Sequence, residues 1–217
     1  VRYAAGIIIV QIGWLLFHFT PINFTIYLFL LLVIAELSVP IFAEAHNMTP
    51  WHPHHISERY ALLTIIVLGE SIIGSFAAIS DALNNQLLSQ ELIFLTIVGL
   101  LIMFTMWWAY FDHDVAERLN SRKRAFSWGY GHFFIFVSIA ALGAGLAAAV
   151  DVVTHKAEIS ADIVSYFVAI SLIVYTASLW LLQEIHHLSG IKKWFYPITA
   201  AIVLCIPMIF TQVGYAV

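Results

Sequence analysis

The stretch His54-His55-Ile56-Ser57-Glu58-Arg59-Tyr60-Ala61-Leu62-Leu63-Thr64-Ile65-Ile66-Val67-Leu68-Gly69-Glu70 decides how this chain is read. It opens on imidazoles and an adjacent acid and base, then turns almost wholly apolar until a lone carboxylate. On a helix, Glu70 lies eleven residues past Arg59, roughly 16 Å deeper at ~1.5 Å per residue. The segment therefore reads as the start and upper half of a membrane helix. It carries a glutamate near mid-bilayer, on the same face as His55 and Arg59.

The rest of the chain agrees. Its 217 residues are 62% hydrophobic, 15% aromatic and 10% charged, whereas roughly a quarter of a soluble domain is charged. That composition predicts an all-α integral membrane protein whose main partner is the lipid bilayer, and it excludes a nucleic-acid binder. The net charge of −4 carries little meaning when position relative to the bilayer matters more than the sum. Cys205 is the one cysteine and lies in an apolar run, so no disulfide framework exists. Val1 and Val217 both fall inside hydrophobic segments, which reads as a fragment of a longer multi-pass protein with its missing part upstream.

About twenty apolar residues span the hydrocarbon core, and on that rule about seven spans are expected, near 4–19, 22–45, 57–79, 90–112, 125–149, 162–184 and 195–216. None alternates apolar and polar as barrel strands do, so 1–217 is read as a single helical domain. Basic residues collect on the cytoplasmic side of membranes. Seven spans put Arg2, Arg59, Arg118, Arg122, Lys123, Arg124, Lys192 and Lys193 on one side and Lys156 on the other. The N-terminus is thus expected in the cytoplasm and the C-terminus outside. The small residues Ala140, Ala141, Gly143, Ala144, Gly145, Ala147, Ala148 and Ala149 mark the fifth span as the central, closely packed helix, the alternative being an Ala-rich face toward lipid.

Ionisable groups at bilayer depth are costly and mark functional sites by default. Glu70 is the first candidate for an ion or proton path. Glu36 is the second: Pro40, four residues on, has no N–H for the Glu36 carbonyl, leaving a carboxylate and a freed carbonyl side by side. The alternative is that each acid is held neutral and bonds a neighbouring helix. Asp112 follows the fourth span directly and is within reach of Arg59, so Arg59 and Asp112 are expected to pair as a gate or structural clamp. Glu58 would turn toward His132 or the basic loop. The histidines His46, His52, His54, His55, His113, His186 and His187 fall on the cytoplasmic side with His132 two turns into the fifth span. Of these, His54, His55 and His132 are candidates for pH sensing or metal binding, although their spacing matches no zinc pattern.

His55-Ile56-Ser57-Glu58-Arg59-Tyr60, followed by Leu68-Gly69-Glu70-Ser71-Ile72 and then Trp107-Trp108-Ala109-Tyr110-Phe111-Asp112, resembles the bacterial low temperature requirement protein A family. Tyr130 and His132 are similar to a further family pattern. The family's acidic, phenylalanine-rich opening motif has no counterpart, so the likeness is expected to cover the later part of a longer protein. Ala61 stands where a glycine is common and Ala109 where a leucine is. The resemblance implies a multi-pass bacterial inner-membrane protein linked by name to growth in the cold, with no settled activity and no assigned cofactor.

Buried carboxylates at low overall charge favour transport of protons or a small cation. A membrane enzyme acting on lipid, with or without metal, is less favoured because Ser57 and Ser71 have no evident adjacent base. A sensor or scaffold is the third reading. A retinal protein is excluded because the last span holds no lysine.

Overall fold

A computed structural model of the chain describes residues 2–45, 50, 52–112, 115–116, 119–184 and 194–203. Every regular element among them is helical. In chain order these are α1 (Arg2–Phe17), α2 (Ile22–Ala43), α3 (Pro53–Asn84), α4 (Gln90–Phe111), α5 (Arg122–Val153) and α6 (Ala161–Leu179). α6 runs on into a π-helical turn, Trp180–Glu184, and residues 195–203 are helical again. Among the described residues, α2, α3, α4, α5 and the helix from Ala161 to Leu182 are long and apolar enough to cross a membrane, and α1 is shorter. Most of the expected last span, 195–216, lies outside the described residues.

Contacts divide the chain into two compact units, Val1–Trp51 and His52–Val217. The first is the α1–α2 hairpin. Gly13 lets Leu32 lie against α1, where an added Cβ would meet the leucine methyl at 2.6 Å. Trp14 donates its indole N–H to Glu36 at 2.8 Å, and Tyr3 donates its hydroxyl to Glu44 at 2.9 Å.

The second unit is built around α5. Its inward positions Ile135, Ile139 and Leu142 are fully buried, with α3 on one side and α6 on the other. Side-chain contacts set the directions: Tyr60 meets Trp128 and His132, while Ser71 meets Ile139 and Gly143 further along both helices. α3 and α5 are therefore parallel, and their N-terminal ends share one end of the unit. The small-residue run of α5 allows this closeness. A Cβ on Gly143 would lie 2.7 Å from the Ser71 Cβ, and one on Gly145 would lie 2.9 Å from Val168 of α6. Ser71 uses the approach to donate its hydroxyl to the Ile139 carbonyl at 3.1 Å.

The helix ends follow local chemistry. Ser89, Ser121 and Ser160 accept from Leu92, Arg124 and Ile163 at the starts of α4, α5 and α6. α3 and α5 both end with a residue in the left-handed region, Gln86 at φ 58 and His155 at φ 57. There the next amide reaches back, Leu87 N–H to the Ala82 carbonyl and Lys156 N–H to the Asp151 carbonyl, closing a Schellman-type cap. Lys156 then pairs with Asp81, tying the end of α3 to the connection after α5.

Candidate functional site

The polar centre of the second unit lies where α3, α4 and α5 meet. Trp128, His132 and Phe136 recur every four residues and share one face of α5. Tyr60 of α3 lies across that face, its ring 4.9 Å from both Trp128 and His132 and stacked on Phe136 at 6.2 Å. Gly129 leaves room for this approach, because an added Cβ would come within 2.7 Å of the Tyr60 hydroxyl. His132 has no exposed surface. Its Nδ1 lies 2.8 Å from the Trp128 carbonyl and its Nε2 lies 2.9 Å from the Tyr110 hydroxyl.

These two contacts fix the proton of the neutral ring. A carbonyl oxygen only accepts, so Nδ1 carries the hydrogen and Nε2 accepts from the Tyr110 O–H. Thr64, fully buried one turn past Tyr60, donates to the Tyr60 carbonyl at 2.8 Å, and its hydroxyl also interacts with the Tyr110 phenol. Below the pair, Tyr175 of α6 donates to the Met106 carbonyl at 2.6 Å, which anchors α6 to α4 one turn before Tyr110. Trp128 Nε1 is buried with no hydrogen-bond partner among the described residues. A phenol and an imidazole joined inside an apolar bundle can hold and pass a proton without exposing a full charge to lipid.

The residues singled out from sequence are placed differently from one another. His132 is at the centre. Glu70 projects from the exposed face of α3 and has no hydrogen bond or ion pair among the described residues. Glu36 belongs to the hairpin unit, where Trp14 engages it. Arg59 is exposed near the start of α3 and makes no ion pair among the described residues. Asp112, also exposed, caps α4. Glu58 faces His55 at 3.6 Å, within its own helix, and not His132. His54 stacks on His52 with ring centres 5.4 Å apart, and His55 is 5.5 Å from His52. Among the described residues no three His, Cys, Asp or Glu side chains converge to hold a metal ion. His46, His113, His186 and His187 lie outside the described residues.

Tyr60, Tyr110, Trp128 and Tyr175 carry the site and were not singled out by their charge. Three of the stretches that stand out in the sequence nevertheless converge here: the one ending at Tyr60, the one containing Tyr110 and the one containing Tyr130 and His132. The available signal was a histidine in an apolar helix with an aromatic one turn before and after it.

Several long apolar helices, an inter-helix polar centre and sparse charge define a multi-pass α-helical membrane protein. The family model for Bacterial low temperature requirement A protein (LtrA) matches residues 1–217, and the chain belongs to that family. The match takes in the α1–α2 hairpin as well as the helices that carry the motifs. No curated protein and no solved structure matches the chain.

Proposed function

We propose that this is a bacterial inner-membrane protein that moves protons, or a small cation coupled to them. The observation that carries the reading is the enclosed His132 and Tyr110 pair: two groups able to exchange a proton, joined across helices in an apolar interior. In this reading His132 and Tyr110 form the enclosed step. Glu70 is the further carboxylate of the path, with Arg59, Glu58 and Asp112 at its cytoplasmic mouth, and Glu36 is a second ion or proton site within the hairpin unit. His54 and His55 stand at that mouth as pH-responsive groups.

The proposal includes seven spans, an N-terminus in the cytoplasm and a C-terminus outside. It is supported by the placement of Arg59 and the run from Arg122 to Arg124 at the end of the second unit where α3 and α5 both begin. Purified protein reconstituted in liposomes with an internal pH dye tests the function. An imposed pH gradient should collapse faster than in empty liposomes, and His132→Gln, Tyr110→Phe and Glu70→Gln should each slow it. Dissipation equal to that of empty liposomes, or unchanged in all three variants, refutes the reading.

A further inference from the structure

The outer face of α3 carries a pattern that takes no part in the contacts around His132 and Tyr110. Leu63, Ile66, Glu70, Ile73 and Ala77 follow one another at alternating steps of three and four residues, and all five are exposed. The opposite face, with Thr64, Leu68 and Ser71, is buried against α4 and α5. Alternation of three and four is the spacing of a seam between two helices wound around each other with a left-handed twist. Gly69 and Gly74 border the seam, and a Cβ on either would touch nothing within 4 Å, so a second backbone can approach closely.

Glu70 says what must cover this face. It lies at the middle of a helix of 32 residues, about 48 Å long at ~1.5 Å per residue, and hence in the centre of a hydrocarbon core of about 30 Å. An ionisable group there costs at least about 2.5 kcal/mol when it faces lipid, and lipid tails offer no hydrogen-bond partner at that depth. Glu36 differs, because Trp14 satisfies it within its own hairpin. Glu70 has no such partner among the described residues, and a helix packed on this face that presents a donor or acceptor at mid-bilayer would supply one.

We infer that the Leu63–Ala77 stripe is a homodimer seam, in which Glu70 of two copies hydrogen-bond to each other at the bilayer centre. Two copies inserted in the same orientation are related by a two-fold axis along the membrane normal, so every seam residue meets its counterpart at equal depth. A carboxyl group is self-complementary: the protonated acid of one copy donates to a carboxyl oxygen of the other. A single polar position in an otherwise apolar seam also fixes its register. This interface does not depend on the transport reading.

Cysteine cross-linking of the full chain in native membranes, in a Cys205→Ser background, tests it. Ile66→Cys and Ile73→Cys should give a disulfide-linked dimer. Ile65→Cys and Phe76→Cys should not, although those positions are also exposed, at 47% and 67%. Energy transfer between labelled copies in bicelles supplies the second readout. Glu70→Leu should weaken dimerisation roughly three- to fifteen-fold, while Glu70→Gln, which still donates and accepts, should retain it even where proton movement is lost. Equal cross-linking at all four positions overturns the inference. So does cross-linking only to another protein, or dimerisation of Glu70→Leu at the wild-type level.

Discussion

Gly143→Ala probes the closest packing in the second unit. The added methyl group would sit 2.7 Å from the Ser71 Cβ, 2.9 Å from its Cα and 2.9 Å from its Oγ. One of these atoms is backbone, so a side-chain rotation cannot relieve the clash and α3 has to move away from α5. Overpacking of this kind costs about 1–3 kcal/mol. The movement also lengthens the hydrogen bond from Ser71 to the Ile139 carbonyl, now 3.1 Å, and an interhelical bond in a membrane protein contributes on average about 0.6 kcal/mol. The expected loss is about 2–4 kcal/mol, read from reversible unfolding in mixed micelles by tryptophan fluorescence. Ser71→Gly removes two of the three clashing atoms, so the double variant should be more stable than the sum of the single effects by about 1 kcal/mol or more. Gly69→Ala, with nothing near its Cβ within the unit, should show no such clash in the monomer and should gain up to about 1 kcal/mol from helix propensity. Additivity of Gly143→Ala and Ser71→Gly within about 0.5 kcal/mol would refute the assignment of this contact.

Other expectations follow from the same geometry. Tyr110→Phe leaves the buried Nε2 of His132 without its donor and should lower stability by about 1–3 kcal/mol in the same unfolding assay; an unchanged midpoint would mean that another group takes the nitrogen. Tyr175→Phe removes the bond to the Met106 carbonyl and should cost about 1 kcal/mol, with cysteine-pair distances across α4 and α6 widening by spin-label spectroscopy. Gln86→Gly and His155→Gly relieve left-handed residues at the ends of α3 and α5 and should each stabilise by up to about 1 kcal/mol. Loss of stability at either position would show that the side chain, and not the backbone, matters there.

The helical, membrane-spanning character of the chain was legible from composition and run length, because an apolar run of that length has few stable alternatives to a bilayer helix. The packing role of the fifth span was equally legible. Gly143 and Gly145 are small for a reason that the sequence already suggests, and Ser71 and Val168 occupy the space they leave. The site was legible only in part. Acidic and basic residues draw attention in a membrane sequence, so Glu70, Glu36 and Arg59 stood out as site candidates, while Tyr60 and Tyr110 entered only as members of the motifs that carry the resemblance.

What the sequence by itself determined is thus the class of protein and the residues with unusual cost: an integral membrane helix bundle holding isolated carboxylates and a histidine in apolar runs. Only the tertiary structure decided which of those residues turn inward. Glu70 and Thr64 lie six residues apart on one helix, yet Thr64 is fully buried and Glu70 is exposed. The angle each residue takes around the helix axis is set by the sequence, but which side of that axis becomes the interior depends on where α4 and α5 pack. That same packing brings Tyr110 within 2.9 Å of His132, twenty-two residues along the chain, a contact to which no local periodicity points.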